Sequence, residues 1–176
     1  AEHPRRLREK TERDLKNMGY RAICFDFDYT LGDATDAIVA GYTYALTQMG
    51  WPAPDREAVR RTVGYMLEDG YTMLTGDSDP ERKKQLRPLF VQVAQPLQIQ
   101  NTRLFPGAAE LLRGLKERGT RLGIVSSKRT DTLRAILENN GVLPLLDLVI
   151  GSDMVTRHKP DPEGLLAALE RLETAP

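Results

Sequence analysis

The sequence holds a single cysteine, Cys24, so no internal disulfide framework can support the fold. Neither charge is in excess: 25 Lys and Arg stand against 25 Asp and Glu. That balance argues against nucleic acid or an anionic membrane surface as a partner recognised through global charge. No apolar run approaches the roughly 18 residues that a membrane span needs. The N-terminus is charged rather than apolar and lacks the pattern of a secretory signal, so a cytoplasmic protein is expected. There is no internal repeat and no low-complexity segment. What is present is the composition of a soluble globular chain, 176 residues that are 40% hydrophobic and 28% charged. Such a length suits one domain, or a core with a smaller insert.

The stretch AICF at 22–25 reads as a buried strand, and it runs into Asp26 and Asp28, two carboxylates where burial is costly. Cys24, inside that strand, reads as an inert buried thiol. Two further strands are predicted, in RLGIVSS at 121–127 and LDLVIGS at 146–152. Helices separate and follow them. One runs from Pro106 to Gly119, and one from a Thr130 or Asp131 cap to Gly141. In the last, Asp161 is the expected N-cap, Pro162 the first helical residue, and Leu165, Leu166, Leu169 and Leu172 the buried stripe. This alternation predicts an α/β fold, a parallel sheet joined by right-handed crossovers. Residues 35–103 break it with three helical stretches, turn signals at GWPAP and TGDSDP, and no strand. They are expected to form a helical cap domain inserted after the first strand of a core made from 21–34 and 104–176. Residues 1–20 read as a charged, solvated helical segment with Leu7, Leu15 and Met18 as its apolar positions. A basic arm for polyanions is the sharper alternative there, but acids are interleaved with the bases.

In open parallel sheets, ligands bind beyond the carboxyl ends of the strands. Asp26 and Asp28 fall at that end of the first strand, Ser126 and Ser127 at that of the second, and Asp153 after the third, with His158 and Lys159 in the next loop. Each is ordinary alone: Asp-x-Asp occurs in turns, Ser before a helix is a cap, and HKPDP can be a Pro-rich turn around a loop histidine. Their convergence on one rim is what points to chemistry. Paired carboxylates make a hard oxygen site suited to Mg²⁺. One carboxylate can attack phosphorus, and a second can protonate the leaving alkoxide and then deprotonate water. Ser126, opening a loop before a helix, can hold an anion. Lys128 or Lys159 can balance the accumulated charge. Together these describe phosphoryl transfer from a monoester.

FDFDYTLGD, GIVSSK and HKPDPEG, in that order and at those distances, resemble the haloacid dehalogenase (HAD) superfamily, and within it most resemble the phosphoglycolate phosphatases and related pyrophosphatases. The resemblance implies a Rossmann-like core with a helical cap, and Mg²⁺-dependent hydrolysis of a small phosphorylated metabolite through an aspartyl-phosphate. It makes Asp26 the nucleophile and Asp28 the general acid/base, with Mg²⁺ held by the Asp26 carboxylate and the Asp28 backbone carbonyl. It places Thr30, Ser126, Ser127 and Lys128 at the phosphate, and Lys159 against nucleophile and phosphate together. Gly64, in TVGYMLEDG, matches the cap segment that reaches toward the substrate. An acid at position 28 favours phosphate esters over carbon–halogen or phosphonate bonds. Tyr29-Thr30 replaces the Gly-Val usual in sugar-phosphate mutases, which ranks that activity below hydrolysis. Family members carry a fourth strand with further acidic residues, whereas this sequence stops at RLETAP. The expectation is therefore a C-terminally truncated core with an exposed sheet edge that a second chain can complete. Weak Mg²⁺ binding and weak or absent turnover would follow. A non-catalytic phosphate-binding or regulatory module is the alternative, opposed by the retained Asp28.

Overall fold

Strand β1 (Ala22–Phe25) lies parallel to β4 (Arg121–Val125), with Ala22 opposite Arg121 and Phe25 opposite Ile124. Strand β4 in turn lies parallel to β5 (Leu148–Ile150), so the sheet order is β1-β4-β5. This arrangement comes from a computed structural model, which describes residues 20–174. The helix expected over 1–20 falls outside the described residues. Strand β4 is central because it is the most continuously apolar: Leu122 to Val125 are all buried, as a strand covered on both faces requires. On one face, Phe27, Leu31, Leu112, Leu122, Ile124 and Leu137 form the main core with helices α5 (Ala108–Glu117) and α6 (Thr130–Asn139). On the other, Val125, Ile150 and Ala168 meet beneath helix α7 (Glu163–Thr174). The chain is thus an α/β fold with a parallel sheet flanked by helices, as the alternation of elements predicts. No helix among the described residues is long and apolar enough to cross a membrane.

Four helices fill the segment between β1 and β4 that carries no long strand: α1 (Thr35–Gln48), α2 (Arg56–Arg60), α3 (Leu67–Thr75) and α4 (Pro80–Asn101). They gather around an apolar cluster of their own, built on Tyr42, Leu46, Val59, Tyr71 and Leu86. Gly41 lets α1 and α4 approach, since a Cβ there would stand 2.6 Å from Ala94 Cβ. Helix α4 runs through Pro88 and Pro96, each of which removes a backbone donor. The segment leaves and rejoins the rest of the chain side by side. Strand β2 (Gly32–Asp33) pairs antiparallel with β3 (Arg103–Leu104), Gly32 opposite Leu104.

Several local expectations need correction. The stripe on α7 is turned: Leu165, Leu166 and Leu169 are 45%, 59% and 38% exposed, whereas Ala168 and Leu172 are buried. The small residue faces inward because α7 lies close on β4, where a Cβ on Gly123 would stand 3.0 Å from Leu172 Cδ1. Asp161 does cap α7, accepting from the Glu163 N–H at 2.9 Å, but the helix begins at Glu163 rather than Pro162. The N-cap position of helix α6 is Arg129, one residue before Thr130 and two before Asp131, and its side chain makes no capping hydrogen bond. The Thr130 N–H is taken instead by the Asp153 carboxylate at 2.6 Å. The helical stretch after Asp55 is two helices, α2 and α3, separated at Gly64, whose φ of +97° is left-handed.

Candidate active site

The loop after β1 is tied to one atom. The Phe27 carbonyl accepts from the N–H groups of Thr30, Leu31 and Gly32 at 3.2, 2.9 and 3.2 Å, while the Tyr29 N–H donates to the Gly32 carbonyl at 2.9 Å. Phe27 itself is fully buried, so the loop hangs from the core. Tyr29 turns the chain with φ +58°, a conformation uncommon outside glycine. Its hydroxyl lies 2.6 Å from Thr35 Oγ1 and accepts from Arg60 Nε at 3.4 Å, which links this loop to helices α1 and α2.

The two aspartates of the loop have different surroundings. Asp26 is half-buried, and its Oδ1 lies 2.8 Å from Lys159 Nζ, which also donates to the Val125 carbonyl at 2.8 Å. Asp28 is buried, with Oδ2 lying 3.0 Å from Lys128 Nζ. Lys128 also donates to Gln98 Oε1 of α4 at 2.8 Å, so one ammonium joins the carboxylate to the helical segment. Asp28 Oδ1 is buried without a partner. Burial pushes the Asp28 carboxyl above the usual carboxylate range, the Lys128 ammonium opposes this without cancelling it, and the nearby Asp26 charge adds to it. A carboxyl so placed favours the protonated form that a proton donor needs.

Close packing fixes the loops after β4 and β5 against each other. Ser126 is buried; its N–H donates to the Ile150 carbonyl at 3.0 Å and its Oγ accepts from the Lys128 N–H at 3.2 Å. The Ser152 N–H donates to the Lys128 carbonyl at 2.8 Å. No side chain fits at Gly151, where a Cβ would lie 2.3 Å from the Thr130 nitrogen.

Two cavities open on this rim. One of about 160 Å³ is lined by Asp26, Ser126, His158 and Lys159. The other, of about 110 Å³, lies under the helical segment and is lined by Asp28, Lys128, Gly64 and Gln98. Ser127 and Ser152 line both, so the two cavities share part of their wall. The sequence-derived set is therefore brought together with two exceptions. Thr30 is exposed and lines neither cavity. Asp153 is turned to the start of α6. His158 lines the Asp26 cavity, with Nδ1 buried and unpartnered. Cys24 is half-buried, and burial pushes its thiol up, in keeping with an inert group. Sequence reasoning missed Gln98, Ser152 and Arg87. An amide or guanidinium on a long polar helix reads as solvent-facing, and nothing in the spacing marks these as inward.

A family model described as "Haloacid dehalogenase-like hydrolase" matches residues 23–176. "Probable phosphatase IndB" of Dickeya dadantii is 36% identical over 155 residues, 85% of this chain and 66% of its own length. "Phosphoglycolate phosphatase" of Caulobacter vibrioides is 30% identical, over 88% of this chain and 67% of that protein. This chain thus spans about two thirds of the length of these relatives. Among solved structures, a Bacteroides fragilis chain carrying the same family description superposes with a TM-score of 0.84 at 36% identity, covering 89% of this chain and 74% of that one. With the match running from inside β1 to the end of the sequence, the chain belongs to the haloacid dehalogenase-like hydrolase family.

Proposed function

We propose that this chain hydrolyses a phosphomonoester, with Asp26 as nucleophile and Asp28 as general acid and base. The observation that carries this reading is the division of labour in the loop after β1. One carboxylate is half-exposed beside Lys159, the other is buried with an unpartnered oxygen, and the cavities they line share Ser127 and Ser152. The names of the phosphatase relatives support it.

In the first step a carboxylate oxygen of Asp26 forms a bond to phosphorus as the ester P–O bond breaks, and the departing alkoxide takes its proton from Asp28. In the second, Asp28 removes a proton from water, whose oxygen attacks the phosphorus of the acyl-phosphate and releases inorganic phosphate and the Asp26 carboxylate. Lys159 holds the nucleophile in place and offsets charge on the phosphoryl oxygens, while Ser126 and Ser127 receive the phosphate. The half-buried Asp26 carboxylate and the Asp28 backbone carbonyl, both in the loop after β1, are hard oxygen donors that would hold Mg²⁺, which leaves the Asp28 side chain free for proton transfer. Among the described residues no group of three or more acidic, histidine or cysteine side chains adds to that set. Mg²⁺ bound there would neutralise charge on the transferring phosphoryl group.

Phosphate release from 2-phosphoglycolate and an aryl phosphate, with Mg²⁺ and with EDTA, tests the proposal. Expected is weak Mg²⁺-dependent release that Asp26→Asn abolishes. Release unchanged in that variant would remove Asp26 from the mechanism, and a folded chain that binds phosphate without turnover would favour a binding module instead.

A further inference from the structure

The cavity at Asp28 lies on the side from which a proton would reach the leaving group, and its walls are unusual for a site that accepts a small charged metabolite. Its lining surface is mostly apolar, with Ile38, Val63, Tyr65, Met66, Phe90 and Val91 contributing. Of the polar groups beside them, Tyr42, Thr62 and Gln95 are engaged with protein partners, whereas Asp28 Oδ1 is not. The Tyr42 hydroxyl donates to the Leu67 carbonyl at 3.1 Å, Thr62 Oγ1 to the Val59 carbonyl at 2.8 Å, and Gln95 Nε2 to Thr132 Oγ1 at 3.0 Å. Its three cationic side chains are likewise paired. Lys128 is held by Asp28 and Gln98, Arg129 Nε lies 3.4 Å from Asp131, and Arg87 places Nε and Nη2 at 2.9 and 2.6 Å from Glu68 Oε1. A carboxylate entering here would have to break an ion pair to find a counter-charge. An apolar group would displace only water from apolar walls.

We infer that the leaving group of the substrate is an uncharged, largely apolar alcohol no larger than one six-membered ring, seated between Asp28 and helices α1, α3 and α4. The inference rests on the phosphomonoesterase reading and narrows its substrate class. Size sets the limit: the cavity holds about 110 Å³, less than the roughly 150 Å³ of an apolar protein cavity that accepts benzene, so a single ring is the largest group it can take. The phosphoryl group then lies beside Ser127 and Ser152, which line both cavities, and the alcohol oxygen faces Asp28. A two-carbon acid such as glycolate leaves most of this apolar wall wet and its own carboxylate unpaired.

Two matched pairs of probes test this in the 176-residue chain with Mg²⁺ present. Benzylphosphonate and phosphonoacetate measure binding by calorimetry without any turnover. Benzyl phosphate and 2-phosphoglycolate, both esters of alkyl alcohols, measure kcat/KM without the bias of an activated aryl leaving group. Benzylphosphonate is expected to bind at least about tenfold more tightly than phosphonoacetate, within the range of about 10- to 200-fold that small apolar differences produce. The two esters should differ in the same sense. Val91→Trp, which fills the cavity, should erase the preference. Glu68→Gln, which frees Arg87, should strengthen phosphonoacetate binding several-fold; no change in that variant would overturn the exclusion of carboxylates by ion pairing, whether or not Val91→Trp folds. Equal binding of the two phosphonates, preference for phosphonoacetate, or no binding of either would overturn the inference. If no ester is hydrolysed while benzylphosphonate keeps its advantage, the hydrolytic reading fails and the assignment of the cavity stands.

Discussion

At the scale of single residues, Asp147 shows how one carboxylate can join elements. Its Oδ1 lies 2.6 Å from Lys116 Nζ of α5, and its Oδ2 accepts the Leu122 N–H at 2.8 Å, at the start of β4. Burial acts to raise this carboxyl, but the Lys116 ammonium and the Leu122 N–H outweigh it and hold it below the usual range. A carboxyl depressed in the folded state stabilises fully above its unfolded pKa of about 3.9 and loses that contribution as pH falls through the folded value. Asp147→Ala should therefore cost about 1–3 kcal/mol at pH 7 in urea denaturation, chiefly through the stranded Leu122 N–H, since half-exposed ion pairs contribute little. The gap from the parent chain should narrow below about pH 4. An equal gap at pH 3 and pH 7 would show that the ionised form is not what matters.

Among elements, two glycines give opposite expectations. Gly114 lies inside α5 with open space where a Cβ would go, so Gly114→Ala should stabilise by about 0.5–1 kcal/mol. Gly151→Ala should destabilise by about 1–3 kcal/mol or more, because the new atom meets backbone of the neighbouring loop rather than a movable side chain. It should also weaken phosphate binding by shifting Ser152 away from Ser127. Thermal melts of the two variants, read beside phosphate titrations, check both directions. Elements whose signal lay in their termini were legible in the sequence. The acids after β1, the serines after β4 and the lysine after β5 declared both the strands and the rim they share. Helix α7 was misread because Leu165, Leu166, Ala168, Leu169 and Leu172 carry apolar character most of the way round, and only the close approach at Gly123 selects the inward face. Strands β2 and β3 are two residues each, too short to show any alternation. The inward turn of Gln98 depends on Lys128, thirty positions away, and local pattern carries no trace of it.

At the scale of the whole molecule, the sheet is asymmetric. Among the described residues β1 pairs only with β4, so its other side presents unpaired backbone, and Leu165, Leu166 and Leu169 of α7 stand exposed. Edges of that kind invite strand addition. The apparent mass in light scattering should rise with concentration, and Leu166→Lys should reduce the rise. A constant monomer mass over a hundredfold range of concentration would count against a second chain completing the sheet. The contact from Asp28 through Lys128 to Gln98 has a different consequence. Any anion that draws Lys128 away from Gln98 loosens the grip of α4 on the β4 loop by as much free energy as the amide had added to that grip. Linkage makes the exchange reciprocal: a chain whose helices are held in place resists the anion, and one already anion-bound yields its helices more readily. Anion departure and re-engagement of the helix are then two readings of a single equilibrium.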